Sequence, residues 1–158
     1  VGQYAPSDLT HPKWTYETEG PITGSAVAAD GKVYFGSYDK NIYCIDAKTG
    51  SFIWKFPTEY RVASTPTVVG DTVYTGADDG YIYAIDADSG TQVWRSDAGG
   101  LQADTLLASM HQIRSSPIVV NNRLYVAAMD GNLYCLDTAD GSEEDRGTSR
   151  SLPRGGVD

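Results

Sequence analysis

Two connecting stretches of this chain gather the residue types that bind ligands or move protons. Ser96 to Gln112 carries Asp104, Met110 and His111, one of 2 histidines, and runs on to Arg114. A shorter stretch at the equivalent place carries Glu59, Tyr60 and Arg61. An imidazole exchanges protons near neutral pH, while arginine beside tyrosine suits carboxylates and ring faces. Glu59, Tyr60, Arg61, Asp104, His111 and Arg114 are therefore the candidate ligand- or partner-binding residues, and no residue is assigned a catalytic role. A solvated loop, with Leu101, Leu106 and Leu107 covering the sheet below, accounts for the same longer stretch.

Asp78-Asp79-Gly80 offers carboxylates to calcium, which takes roughly six to eight oxygens. It reads equally as a hairpin tip, where Gly accepts a positive φ and no ion is needed. No zinc-ligand spacing, no identifiable Ser-His-Asp set and no phosphate-cradling glycine loop is found, so no metal site is expected. Cys44 and Cys135 occupy one repeat position in two different copies. That places them beyond the Cα separation of about 7 Å that a disulfide tolerates, and they are expected to be small buried thiols.

The elements that must position these residues are written as a repeat. Trp14, Trp54 and Trp94 stand 40 apart (54−14, 94−54), as do Asp46 and Asp86, and Gly50 and Gly90. From the second copy to the third the offset is 51 (137−86, 141−90), which leaves about 11 inserted residues between Trp94 and Ser116. A period near 40 with only strand signals means one four-stranded blade per repeat. In one copy the strands read Thr65 to Val69, Thr72 to Gly76, Tyr81 to Asp86 and Thr91 to Arg95, in short β-branched and aromatic runs bounded by Gly, Asp and Ser. Runs such as Ile82 to Ile85 are apolar on both faces, as blades packed between neighbours require. Ser64-Thr65-Pro66 and Ser115-Ser116-Pro117 recur and so read as strand starts, not as nucleophiles.

Ala84-Ile-Asp-Ala-Asp-Ser-Gly-Thr-Gln-Val-Trp94 resembles the tryptophan docking motif of the pyrroloquinoline-quinone-like (PQQ-like) β-propeller repeat family. Cys44 to Trp54 matches with Cys for the small residue. Cys135 to Gly141 matches until Asp145 stands where Trp is expected. The resemblance covers residues 14–141 and implies an all-β partial propeller of about three blades. Its structural residues are Trp14, Asp46, Gly50, Trp54, Asp86, Gly90, Trp94, Asp137 and Gly141. The expected division is an N-terminal outer strand at 1–19, blade 1 at 20–59, blade 2 at 60–96, the inserted loop at 97–112, blade 3 without its outer strand at 113–141, and a disordered tail at 142–158.

At 158 residues and 17.0 kDa the chain is one domain by length. A formal net charge of −9 argues against nucleic acid or an anionic membrane as partner. The Asp-rich, Lys-poor composition fits a salt-adapted source such as a halophilic archaeon, and equally an ordinary soluble surface. No apolar run reaches the ~18 residues of a spanning helix, so direct membrane insertion is not expected. No signal peptide is read, and a start at Val1 suggests a piece of a longer precursor. Three blades cannot close on themselves. Either the strand around Trp14 completes blade 3 of an identical chain in a head-to-tail ring, or the blades belong to a larger propeller.

The resemblance implies two functions. One is a non-enzymatic scaffold presenting a face to a protein or peptide partner, like outer-membrane assembly lipoproteins and kinase sensor domains, with an extracytoplasmic or cell-surface location and no cofactor. The other is a fragment of a quinoprotein dehydrogenase holding PQQ with calcium for alcohol or sugar oxidation. The adjacent-cysteine disulfide of those enzymes has no counterpart here, and no position matches their calcium carboxylates or catalytic Asp. The scaffold reading is therefore preferred.

Overall fold

The computed structural model describes residues 13–97 and 112–143. These hold three antiparallel sheets and no helix. Strands β1 (Val27–Ala29), β2 (Lys32–Gly36), β3 (Asn41–Asp46) and β4 (Phe52–Pro57) pair in chain order as blade 1. Strands β5 (Thr67–Val69), β6 (Thr72–Gly76), β7 (Tyr81–Asp86) and β8 (Gln92–Asp97) repeat the order as blade 2. In blade 3, β10 (Arg123–Ala127) lies between β9 (Ile118–Val120) and β11 (Leu133–Asp137). The inner strands β1, β5 and β9 approach one another in sequence, so the blades form an arc about a common axis. The expected all-β partial propeller is what the chain forms, and the arc is not closed.

Pairing in blade 2 starts at Thr67, two residues later than the β-rich run suggests. Pro66 has no N–H to give a ladder. Ser64 Oγ instead donates to Gly76 O at 2.7 Å and accepts from Gly76 N at 3.1 Å, so a side chain clips the segment to β6. Ser115 does the same with Ala127. The recurrent serines are structural clips. The β1–β2 and β9–β10 hairpins turn on pairs of left-handed residues, Asp30-Gly31 and Asn121-Asn122, which matches the right-handed twist of their strands.

Burial follows from stacking. All of Ile42 to Ile45 on β3 and all of Ile82 to Ile85 on β7 are buried, because each face meets another blade or the N-terminal segment. On β11 burial alternates: Tyr134 and Leu136 are covered, while Leu133 is 64% exposed and Cys135 is half-buried. Cys135 is thus not the buried thiol expected, since no following blade covers its face among the described residues. Cys44, at the same place in blade 1, is fully buried, and burial pushes its thiol up to about 11. Both cysteines are free.

The same lock occurs three times, once joining the N-terminal segment to blade 1 and twice joining a blade to the next. Asp46 Oδ1 accepts the N–H groups of Lys48 and Thr49 and the Thr49 hydroxyl, closing the turn before β4. Asp86 repeats this with Asp88 and Ser89, and Asp137 accepts from Ala139 N at 2.7 Å. Gly50, Gly90 and Gly141 end these turns at φ 73°, 71° and 73°. Trp14, Trp54 and Trp94 lie on them so closely that an added Cβ would fall 2.6–2.7 Å from the indole. Each indole N–H donates across the junction: Trp14 to Ala47 O, Trp54 to Ala87 O and Trp94 to Thr138 O, at 3.2, 3.1 and 2.9 Å.

At the N-terminal end, Trp14 and Tyr16 pack on Phe35, Tyr43 and Ile45 of blade 1, as Trp54 and Phe56 pack on blade 2. The outer strand expected around Trp14 pairs with no strand among the described residues, and residues 1–12 of that segment lie outside them. At the other end, Leu136 pairs with Glu143 in an isolated antiparallel bridge, where Ile85 meets Gln92 in blade 2. Pairing therefore continues past Gly141, and the tail from 144 lies outside the described residues.

Candidate functional site

The β2–β3 and β6–β7 hairpins and the connections leading into each blade meet at one end of the sheets. Tyr38 N, Asp78 N and Met129 N donate to Pro21 O, Arg61 O and Gln112 O at 2.9, 2.9 and 3.0 Å. The backbone of this end therefore repeats in every blade.

Part of its chemistry repeats as well. Asp39, Asp79 and Asp130 each take the hydroxyl of the tyrosine four residues on and the N–H two residues on. Asp39 and Asp79 also accept from the incoming connection, at Glu19 N and Glu59 N. Burial works to raise the Asp39 carboxyl, but its bonds from Tyr43, Asn41, Ser37 and Glu19 win and hold it below the usual range. At Asp79 burial wins and the carboxyl is raised. Burial, then the Asp79 charge, raises the Tyr83 phenol. These groups serve the hairpins.

The part that does not repeat centres on Asp78. Its side chain is completely buried, and its carboxylate accepts from Arg61 Nε and from Arg114 Nε and Nη2, the latter two at 3.0 and 3.1 Å. This hydrogen bond, above the other influences, raises the Arg61 guanidinium. The Arg61 guanidinium also lies 5.1 Å from the Tyr38 ring centre and 5.8 Å from that of Tyr60. Lys40 Nζ stands 5.6 Å from the Tyr60 ring. Beside this cluster Arg95 donates to Glu59 at 2.9 Å and lies over Tyr81 at 4.4 Å.

Four of the six expected site residues are thereby placed. Arg61 and Arg114 share one carboxylate, Tyr60 flanks Arg61, and Glu59 is held by Arg95 instead of by the clamp. Asp104 and His111, with most of the inserted loop, lie outside the described residues. Sequence reasoning missed Asp78 as an arginine partner, and missed Tyr38, Lys40, Tyr81 and Arg95. The signal was present: aligned copies place Tyr38, Asp78 and Met129 at one position, and Thr23, Ala63 and Arg114 at another. The oxygens of Asp78 are taken up by the two guanidinium groups. No group of three or more His, Cys, Asp or Glu side chains is placed to hold a metal ion among the described residues. No described helix is long and apolar enough to cross a membrane.

Comparison with known proteins adds a family. The model described as outer membrane protein assembly factor BamB matches residues 8–158. Among solved structures, BamB from Moraxella catarrhalis superposes with a TM-score of 0.67 at 28% identity, over 80% of this chain and 36% of that one. Quinohemoprotein alcohol dehydrogenase ADHIIG from Pseudomonas putida HK5 gives 0.69 at 24% identity, over 81% and 20%. The computationally designed Ika4 protein gives 0.65 at 20% identity, over 82% and 75%. The latter two likenesses concern the fold alone. The chain spans about a third of that BamB and a fifth of the dehydrogenase. No curated protein sequence matches it.

Proposed function

Because this chain belongs to the family described as outer membrane protein assembly factor BamB, matched over residues 8–158, we propose that it is a non-enzymatic propeller segment that binds a protein or peptide partner outside the cytoplasm. The observation that carries the reading is the convergence of Arg61, Asp78 and Arg114. At this end of the arc three positions break the repeat together. The blade 1 hairpin, built on the same backbone bonds, has Tyr38 and Pro21 there, which cannot form an ion pair. Stacking blades therefore does not need the clamp. An exposed Tyr60 beside Arg61 is a pair of residue types that interfaces favour.

The second reading, a dehydrogenase segment holding PQQ with calcium, rests on the resemblance of the repeat to quinoproteins, since ADHIIG shares the fold alone. Against it stands the engagement of the hairpin carboxylates among the described residues. Calcium needs about six to eight oxygens, whereas Asp78 is occupied by arginines and Asp79 by Tyr81 N, Tyr83 and Glu59 N. With PQQ and calcium added, the protein is expected to give no dye-linked oxidation of alcohols or sugars. Clear turnover would refute the scaffold reading.

The face of blade 3 that no described residue covers belongs to the same proposal. Ile118, Val120 and Leu133 are exposed there, and Trp14 and Tyr16 present the edge of a preceding blade at the opposite end. A head-to-tail ring of identical chains would join these ends. Light scattering after size exclusion should then give a discrete multiple of 17.0 kDa; a clean monomer removes the ring and leaves the partner-binding face intact.

A further inference from the structure

We propose that the patch formed by Lys40, Arg61 and Arg114 with Tyr38 and Tyr60 captures an acidic peptide segment, one rich in Asp or Glu, of a partner protein. The inference rests on the binding reading above and specifies the chemistry of its ligand.

Spare cationic donors point first to this class of ligand. The chain carries a formal −9, yet here Lys40, Arg61 and Arg114 set three positive charges against the single one of Asp78. Hydrogen bonds do not cancel the charges of the other acids nearby, but they occupy their oxygens. Glu59 is held by Arg95, while Asp39 and Asp79 are tied by Tyr43, Tyr83 and backbone N–H groups. One carboxylate cannot accept from every N–H of two guanidinium groups, so the clamp has donors to spare. A ligand carboxylate supplies the planar acceptor they fit.

Geometry supports the same ligand. Buried Asp78 grips one arginine from each flanking connection and so fixes the guanidinium groups before any ligand arrives. Fixing them in advance lowers the entropy lost on binding. Tyr38 and Tyr60 wall the Arg61 side chain, and Tyr60 is 49% exposed, leaving an aromatic face for the peptide backbone or an apolar neighbour. Lys40 extends the positive charge along the rim beside Tyr60. Nucleic acid fits less well, because the remainder of this strongly acidic surface would repel an extended phosphate backbone.

The test is fluorescence anisotropy of a labelled glutamate-rich peptide titrated with the full chain at about 50 mM salt, where exposed charges are weakly screened. The controls are its glutamine counterpart and a single-stranded DNA of similar length. The glutamate peptide should bind, the other two should not, and about 500 mM salt should remove the signal. Lys40→Glu and Tyr60→Ala leave the Asp78 clamp intact and should each weaken binding several-fold. Arg114→Gln should weaken it roughly tenfold, as loss of a charge-assisted hydrogen bond does. Circular dichroism melts confirm that each variant is folded. Absence of binding, equal binding of the glutamine peptide or DNA, or unchanged affinity in folded Lys40→Glu and Tyr60→Ala would each overturn the inference. PQQ-dependent turnover is the separate result that overturns the scaffold reading, so the two failures can be told apart.

Discussion

Replacing Gly90 by alanine tests the blade lock against an internal control. Gly90 and Gly31 have nearly the same backbone, at φ 71° and 75°. Both substitutions place a Cβ in the left-handed region, at a cost of roughly 1–2 kcal/mol. At Gly31 the new methyl meets nothing within 4 Å. At Gly90 it would fall 2.6 Å from Trp54 Cδ2, far inside contact distance. The indole has little room to yield, being 7% exposed, packed on Tyr34 and bonded to Ala87 O. Displacing it loses a hydrogen bond worth about 1 kcal/mol and part of the ~3–5 kcal/mol that full removal of a buried Trp costs. Gly90→Ala should therefore destabilise the chain by about 3–5 kcal/mol and Gly31→Ala by only about 1–2. For a chain of this size the larger loss lowers Tm by roughly 10 °C. Urea and thermal unfolding followed by tryptophan fluorescence and circular dichroism give both numbers. Equal destabilisation would show that the close approach of Trp54 contributes nothing to blade docking.

Two further predictions concern titrating groups. The Cys44 thiol, buried and pushed up to about 11, should resist a thiol reagent at pH 8 until the protein unfolds, while half-buried Cys135 reacts first; mass spectrometry of partly labelled protein identifies the site, and early labelling of Cys44 would contradict its packing. The Asp46 and Asp86 carboxyls are held low, by hydrogen bonds from Thr49 and Ser89 first of all. Because their folded pKa values lie below the ordinary Asp value of about 3.9, the stability they add is present above that value and is lost as pH falls through it towards the depressed ones. Asp79, raised by burial, acts in the opposite sense, since protonation there relieves a buried charge. Urea midpoints measured from pH 6 to pH 3 should fall, and Asp86→Asn should flatten that fall; an unchanged slope would refute the assignment to these turns.

The repeat was legible because blade geometry is demanded locally and many times over. A docking turn needs an acceptor at Asp46 and Asp86, a left-handed residue at Gly50 and Gly90 and a flat ring at Trp54 and Trp94, so the spacing of those residues already states the contact. The Arg61–Asp78–Arg114 clamp has no such periodic signature. Its members are separated by 17 and 36 residues, and each is an exception at its own repeat position. Asp78 beside Asp79 and Gly80 looks like any hairpin tip, and only the paired blades show which of the two acids turns inward to the hairpin tyrosine and which meets the arginines. The same logic explains Cys135. Its strand carries the apolar pattern of β3 and β7, so sequence reads it as buried, whereas burial depends on a neighbour that the pattern invites but does not supply. In a repeat protein the residues that recur fix the scaffold, and a binding site is better sought where aligned copies disagree at positions that the fold brings together. Arg61, Asp78 and Arg114 meet that condition among the described residues, and their positive excess on an acidic chain gives the disagreement a chemical direction.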